Sequence, residues 1–293
     1  MAFDPCGRNR SWTLRAALDR PPARVHPRAP DMPDAHEHTA RGDLALGRAL
    51  LYRFGSELFR HPGRGSQAPW ATWSDGVRTA LDACAEDGTT SELGGSFEQW
   101  LSADSRPEKL ARDHARLIGP TPRAAAMPYE TEWCGAAGDL LQFHQLGDIS
   151  AFYRAFGLDL DAQCGERADH LSVELAFLHF LCVREADLAE LGMVELAELC
   201  RDTEQKFLSE HVTRWTPAFC ARLGACDPKG FYGRAARFLD LWLGDECRRF
   251  GVTSSEVRHS PSETSLSLED CCVSCGQVAA CTVRISAPAP RHG

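Results

Sequence analysis

The stretch ERADHLSVELAFLHFL, Glu166 to Leu181, sets Glu166, Arg167, Asp169 and His170 directly ahead of an apolar run. A histidine beside a carboxylate, with Glu174 four residues on, has the composition of a general base. Carboxylates grouped near an arginine have that of an ion-pair network or a guanidinium site. On a helix beginning near Asp169, His170 and Glu174 are i,i+4 neighbours whose side chains meet. Asp169 would then be an N-cap or first-turn acid. The same residues also suit plain helix capping with a surface ion pair, a weak and common arrangement. No nucleophile motif lies nearby in sequence and no Gly-rich phosphate loop occurs. The chain is therefore expected not to be an enzyme.

Cysteine is the other chemistry-bearing residue. Of 13 cysteines, Cys271, Cys272, Cys275 and Cys281 crowd the C-terminal part as C-C-x2-C-x5-C. Two thiolates at C-x2-C spacing can share one zinc or iron–sulfur centre, and four would complete a tetrahedral site. Against that, the adjacent Cys271–Cys272 pair rarely supplies two ligands to one metal. Redox-active thiols and no defined chemistry are the other two readings. The remaining nine are scattered singly. With no apolar secretory segment in the N-terminal stretch, reduced thiols in a cytoplasmic setting are expected, several of them buried as small hydrophobes.

The elements that must position these residues are helical. Leu46, Leu50, Phe54 and Leu58 repeat every four residues, and Pro62-Gly63 stops that helix. Further helices are expected over about 70–85, 97–101, 107–117, 138–156, 169–187, 192–211, 217–223 and 230–250. Leu171, Leu175, Leu178 and Cys182 form one core stripe, and Phe231, Ala235, Phe238 and Trp242 another. The segment GPTPRAAAMPYETEW, with three prolines in nine residues, must be a loop. No alternating strand of useful length precedes residue 276. The fold class is all-α, a single bundle of about nine helices spanning 39–250.

Residues 1–38 hold six arginines, several prolines and no apolar periodicity, and are expected to be disordered. Met32 is an alternative start of translation. Residues 251–270, rich in Ser, Thr and Glu, read as a linker to the Cys-rich 271–293. The formal net charge of −9 argues against a general nucleic-acid or anionic-membrane binder. No run approaches the length of a membrane-spanning helix. Residues 185–210 carry eight acids against only Arg201 and Lys206, a field that would steer a basic peptide or simply be a solvated face.

Four separated motifs occur in order: PYETEW at 128–133, ERADHLSVELAFLHFL at 166–181, FLSEHVTRWTPAFCARL at 207–223 and GFYGRAARFLDLWL at 230–243. Together they resemble the TorD/DmsD family of cytoplasmic chaperones, related to the NarJ group. The resemblance covers roughly residues 40–250. One departure is Ala168, where the family usually has proline, a residue favoured at helix starts. The resemblance implies a protein that binds the twin-arginine signal peptide and the apo form of a dimethyl sulfoxide reductase-type molybdoenzyme. It would assist molybdenum cofactor insertion and delay export until maturation, requiring no cofactor itself, as a monomer or homodimer. By position, the peptide- and client-binding residues would be Tyr129, Glu130, Trp133, Arg167, Asp169, His170 and Glu174. The alternative is a metal- or redox-sensing helical regulator acting through the C-terminal cysteines.

Overall fold

The computed structural model describes residues 35–62, 69–85, 90–119, 124–134, 139–160 and 166–253. The Arg-rich 1–34, most of the linker and the cysteines at 271, 272, 275 and 281 lie outside them. Among the described residues there are ten α-helical segments and no strand. They are α1 (Ala35–Phe59), α2 (Ser74–Ala83), α3 (Thr90–Leu101), α4 (Pro107–Leu117), the single turn α5 (Glu130–Trp133), α6 (Asp139–Ala155), α7 (Leu171–Glu190), α8 (Val194–Phe207), α9 (Thr213–Cys226) and α10 (Phe231–Phe250). A 3-10 turn, Trp70–Trp73, leads into α2. None of these helices is long and apolar enough to cross a membrane.

Helix α7 is the central post. It is apolar nearly all round, as a helix covered on several sides must be. Leu171, Leu175, Leu178 and Cys182 are wholly buried, as their spacing predicts. Helix α1 lies antiparallel along it. Ser56 Oγ donates to the Ser172 carbonyl at 2.6 Å, and His179 Nδ1 sits 2.8 Å from the Ala49 carbonyl. The apolar face of α1 is turned from the expected one. Phe54 and Leu58 are buried, but Leu46 is 51% exposed and Ala45 and Ala49 take the inward positions. An alanine ridge lets two helix backbones approach where a leucine ridge would hold them apart.

Helix α10 closes the other side with Phe231, Ala235, Phe238 and Trp242, all buried. It ends at Gly251, whose positive φ of 63° completes a left-handed cap. Gly251 N–H donates to the Arg248 carbonyl and Val252 N–H to the Cys247 carbonyl. Helix α9 begins at Thr213, earlier than the expected residue 217, and carries Pro217 in its interior. A π-helical turn over Leu208–Val212 precedes it. Two hydroxyls serve the carbonyls there: Thr213 Oγ1 donates to Leu208 O at 2.8 Å and Thr216 Oγ1 to Val212 O at 2.9 Å. The extra residue in that turn swings His211 into the interior, where it is 2% exposed.

A buried ionic knot ties four helices together. Arg48 of α1, fully buried, donates Nε to Glu246 of α10 at 2.9 Å and Nη1 to Glu185 of α7 at 3.3 Å. Its Nη2 donates to Glu204 of α8 and, at 2.8 Å, to Glu246. Tyr52 donates to Glu246 at 2.7 Å, and Arg249 reaches the same carboxylate at 3.1 Å. Burial pushes the Glu204 carboxyl up to about 8 despite Arg48. Two of the eight acids in 185–210, Glu185 and Glu204, are therefore structural and do not contribute to a surface field.

Candidate functional site

The loop bearing PYETEW and the turn bearing ERADH meet as a two-residue antiparallel bridge, Tyr129 with His170. Glu130 N–H donates to the Asp169 carbonyl at 3.0 Å and Leu171 N–H to the Pro128 carbonyl at 2.9 Å. Pro128 lacks an N–H, so it can end such a bridge only as an acceptor. The two rings then pack edge to face at 5.1 Å. Motifs separated by more than thirty residues of sequence thus form one structural unit.

His170 is the N-cap of α7. Its backbone is extended, with φ −77° and ψ 133°, and Ser172 N–H donates to its Nδ1 at 3.1 Å. The expected pairing of His170 with Glu174 is corrected here. The i,i+4 relation holds only inside a helix, and α7 begins one residue after His170. The Nε2 of His170 instead faces Glu166 at 3.7 Å. Burial, reinforced by the charges of neighbouring His114, Arg60 and Arg167, lowers its pKa to about 3, so it is neutral near pH 7. Asp169 does not cap α7; its carboxylate accepts from the Thr131 N–H in the first turn of α5 at 3.2 Å. It is completely buried and accepts from Thr131 Oγ1 at 2.7 Å and from Arg167 Nη2 at 2.8 Å. Ala168 precedes α7 by three residues. Its carbonyl accepts from Tyr153 at 2.8 Å.

Beneath the bridge lies an acidic centre. Glu130 and Glu174 are both wholly buried. Glu130 accepts from Gln145 Nε2 at 2.6 Å and lies 3.1 Å from His211 Nδ1. Glu174 accepts from Trp215 Nε1 at 3.2 Å. Burial, then the nearby Glu130 and Asp169, raise the Glu174 pKa well above that of a free carboxyl. Burial and these neighbouring acids thus disfavour the charged form of Glu174, and its Oε1 meets no hydrogen-bond partner among the described residues. His211 Nε2 points outward toward the exposed Asp148 at 3.6 Å. Sequence reading missed Gln145, His211 and Trp215. His211 and Trp215 sit inside a quoted motif, SEHVTRW, but nothing in their spacing shows a partner 81 or 41 residues away.

The part of this unit open to solvent is its rim. The Arg167 side chain, 43% exposed, lies over the Tyr129 ring with its guanidinium carbon 4.6 Å from the centroid. Arg167 also approaches Glu132 at 3.6 Å. Trp133 is not on the rim. It is 7% exposed, donates Nε1 to Met127 O at 2.7 Å and packs on Phe219. Of the seven expected site residues, the bridge gathers Tyr129, Glu130, Arg167, Asp169, His170 and, below them, Glu174. Only Tyr129 and Arg167 present substantial surface. Cys134 is no candidate nucleophile, since burial pushes its thiol up to about 12.

An all-helical bundle with a loop-to-helix bridge over buried acids is the class of protein so defined. Residues 84–221, which contain the whole bridge, match the family of the nitrate reductase delta subunit. The chain is also 30% identical over 131 residues to the chaperone protein TorD of Vibrio parahaemolyticus, covering 45% of this chain and 59% of that protein. It is 30% identical over 152 residues to TorD of Aeromonas salmonicida, covering 52% and 65%. TorD of Vibrio cholerae matches at 27% over 165 residues, 55% and 73%. The chain spans about 59% of the length of the first of these relatives. Over these residues the chain is similar to TorD and to the nitrate reductase delta subunit family.

Proposed function

We propose that this chain is a system-specific chaperone for a dimethyl sulfoxide reductase-type molybdoenzyme. It would bind the enzyme's twin-arginine signal peptide and its apo form. It would assist molybdenum cofactor insertion and delay export until maturation, acting in the cytoplasm without a cofactor or catalysis of its own. The observation that carries this reading is the Tyr129–His170 bridge, which joins the two motifs most like the TorD pattern. The relatives' name as chaperones supports the same reading.

The rim chemistry suits a peptide with paired arginines. Arg167 already shows how a guanidinium sits here, on the Tyr129 ring and beside Asp169 and Glu132. A peptide arginine would compete for that ring face and for Glu132, while the buried Glu130, Asp169 and Glu174 hold the platform in shape. The direct contacts are thus Tyr129, Glu132 and Arg167, and the buried acids act through them.

The test is capture of tagged full-length chain from its native cells, followed by identification of what co-purifies. The expected partner is the catalytic subunit of a molybdoenzyme carrying a twin-arginine leader and lacking its cofactor. Capture should fall sharply with the paired substitutions Tyr129→Ala and Glu132→Gln, at unchanged melting temperature. Repeated capture without any such subunit, or with the fully loaded enzyme alone, would contradict the proposal.

A further inference from the structure

The turn between α7 and α8 and the outer side of α8 carry apolar side chains that the bundle does not cover. Leu191 is 72% exposed, Met193 41%, Leu196 44% and Leu199 54%. Leu196 and Leu199 are three apart on one helix and so share a ridge. The neighbouring ridge is acidic. Glu195, Glu198 and Asp202 follow each other at spacings of three and four, all exposed, and the exposed Glu190 stands at the end of α7. The basic residues nearby are directed elsewhere. Arg201 approaches the buried Glu185 at 3.6 Å and stacks on Phe250, and Lys206 faces Glu210. An apolar strip beside an unbalanced acidic ridge is complementary to a basic segment with interleaved apolar residues.

Such a segment belongs to this chain. Residues 8–28 hold Arg8, Arg10, Arg15, Arg20, Arg24 and Arg28 against the single acid Asp19, with Trp12, Leu14 and Leu18 among them. The direction of α1 delivers it to the right end of the molecule. Because α1 runs antiparallel to α7, stepping back from Ser56 to Arg48 moves from Ser172 to Glu185. The thirteen residues from Arg48 back to Ala35 rise roughly 20 Å, and the six from Glu185 to Leu191 rise about 9 Å. Helix α1 therefore starts at the same end of the bundle as the α7–α8 turn, roughly 10 Å beyond its level. Residues 29–34 reach at most about 20 Å further, enough to fold back onto α8.

We propose that the Arg-rich N-terminal segment, residues 8–28, docks in cis on the acid-flanked apolar strip formed by Leu191, Met193, Leu196 and Leu199. Tethering supplies an effective concentration of order millimolar, so weak intrinsic contacts suffice. The docked segment screens this surface from other basic, apolar peptides, and the contact weakens with salt because its polar part is exposed. The inference stands on α8 and the N-terminal sequence, and does not depend on the chaperone reading.

The test places a photoreactive phenylalanine analogue at Leu199 of the full chain. Illumination should give a product of monomer mass whose cross-linked peptide maps within residues 8–28. The yield should fall severalfold with added salt and in the Glu195→Lys, Glu198→Lys variant, whose substitutions are exposed and should leave melting unchanged. Hydrogen exchange over 190–203 should also be severalfold faster in a chain beginning at Met32. Cross-links to a second copy, cross-links that avoid residues 1–34, or a yield indifferent to charge reversal would overturn the proposal.

Discussion

Replacing Arg48 by methionine removes the one cation that reaches Glu185, Glu204 and Glu246 together. Methionine keeps the apolar stem and loses the guanidinium, so the effect is chiefly electrostatic. Afterwards Glu246 retains Tyr52 at 2.7 Å and Arg249 at 3.1 Å. Glu185 retains only Arg201, at 3.6 Å, and Glu204 only the Cys182 thiol, at 3.4 Å. All three carboxyl groups remain nearly or wholly buried. Breaking a buried pair by deleting one partner costs about 3–5 kcal/mol. The upper half of that range applies, because Arg48 serves three acids and not one. For a domain of about 200 residues the loss corresponds to a fall in Tm of roughly 8–20 °C. Urea unfolding followed by helical circular dichroism measures it directly. A variant as stable as the parent would refute the view that Arg48 neutralises this centre.

Other outcomes follow from the same groups. The carboxyl of Glu204 is pushed up to about 8, so its folded-state pKa lies above its unfolded value. Such a carboxyl destabilises the fold increasingly as pH rises from about 4.5 to about 8, where it must ionise in the interior. Glu204→Gln should therefore cost little at pH 5 and gain stability relative to the parent by pH 8, read as a flatter profile of Tm against pH. Burial raises the Glu174 pKa, so the neutral isostere Glu174→Gln should melt within a few degrees of the parent, whereas Glu174→Lys should yield no soluble folded protein on expression. Trp215→Phe removes the donor to Glu174 and should cost about 1–3 kcal/mol in urea unfolding. Gly233→Ala would press a Cβ against the Asp227 carbonyl and should destabilise by about 1–3 kcal/mol, read as a lower urea midpoint.

The helices were the legible part. Pro107 at the first position of α4 and the four-and-three spacing of Leu171, Leu175, Leu178 and Cys182 in α7 declare themselves, because helix starts and apolar stripes are set by local chemistry. The bridge was half legible. Its two motifs could be read, but their pairing is backbone to backbone and leaves no residue signature. Exposure was misjudged for Glu130, Asp169 and Glu174, since charged residues are ordinarily at the surface and a buried one shows only when its partners are known. Those partners, Thr131, His211 and Trp215, lie 38 to 81 residues from the acids they meet. Arg48 is the extreme case: it sits in an apolar helix with acceptors 137 to 198 residues away.

The central claim is that the Tyr129–Arg167 rim receives paired arginines. The direct measurement is calorimetric titration of the full chain with a synthetic twin-arginine peptide and with its paired-lysine counterpart. Guanidinium is planar and stacks on a ring, whereas ammonium does neither, so the arginine peptide should bind at least about tenfold more tightly. Tyr129→Ala should abolish that preference without changing the fold. Equal affinity for the two peptides, or a preference that survives Tyr129→Ala, would contradict the account.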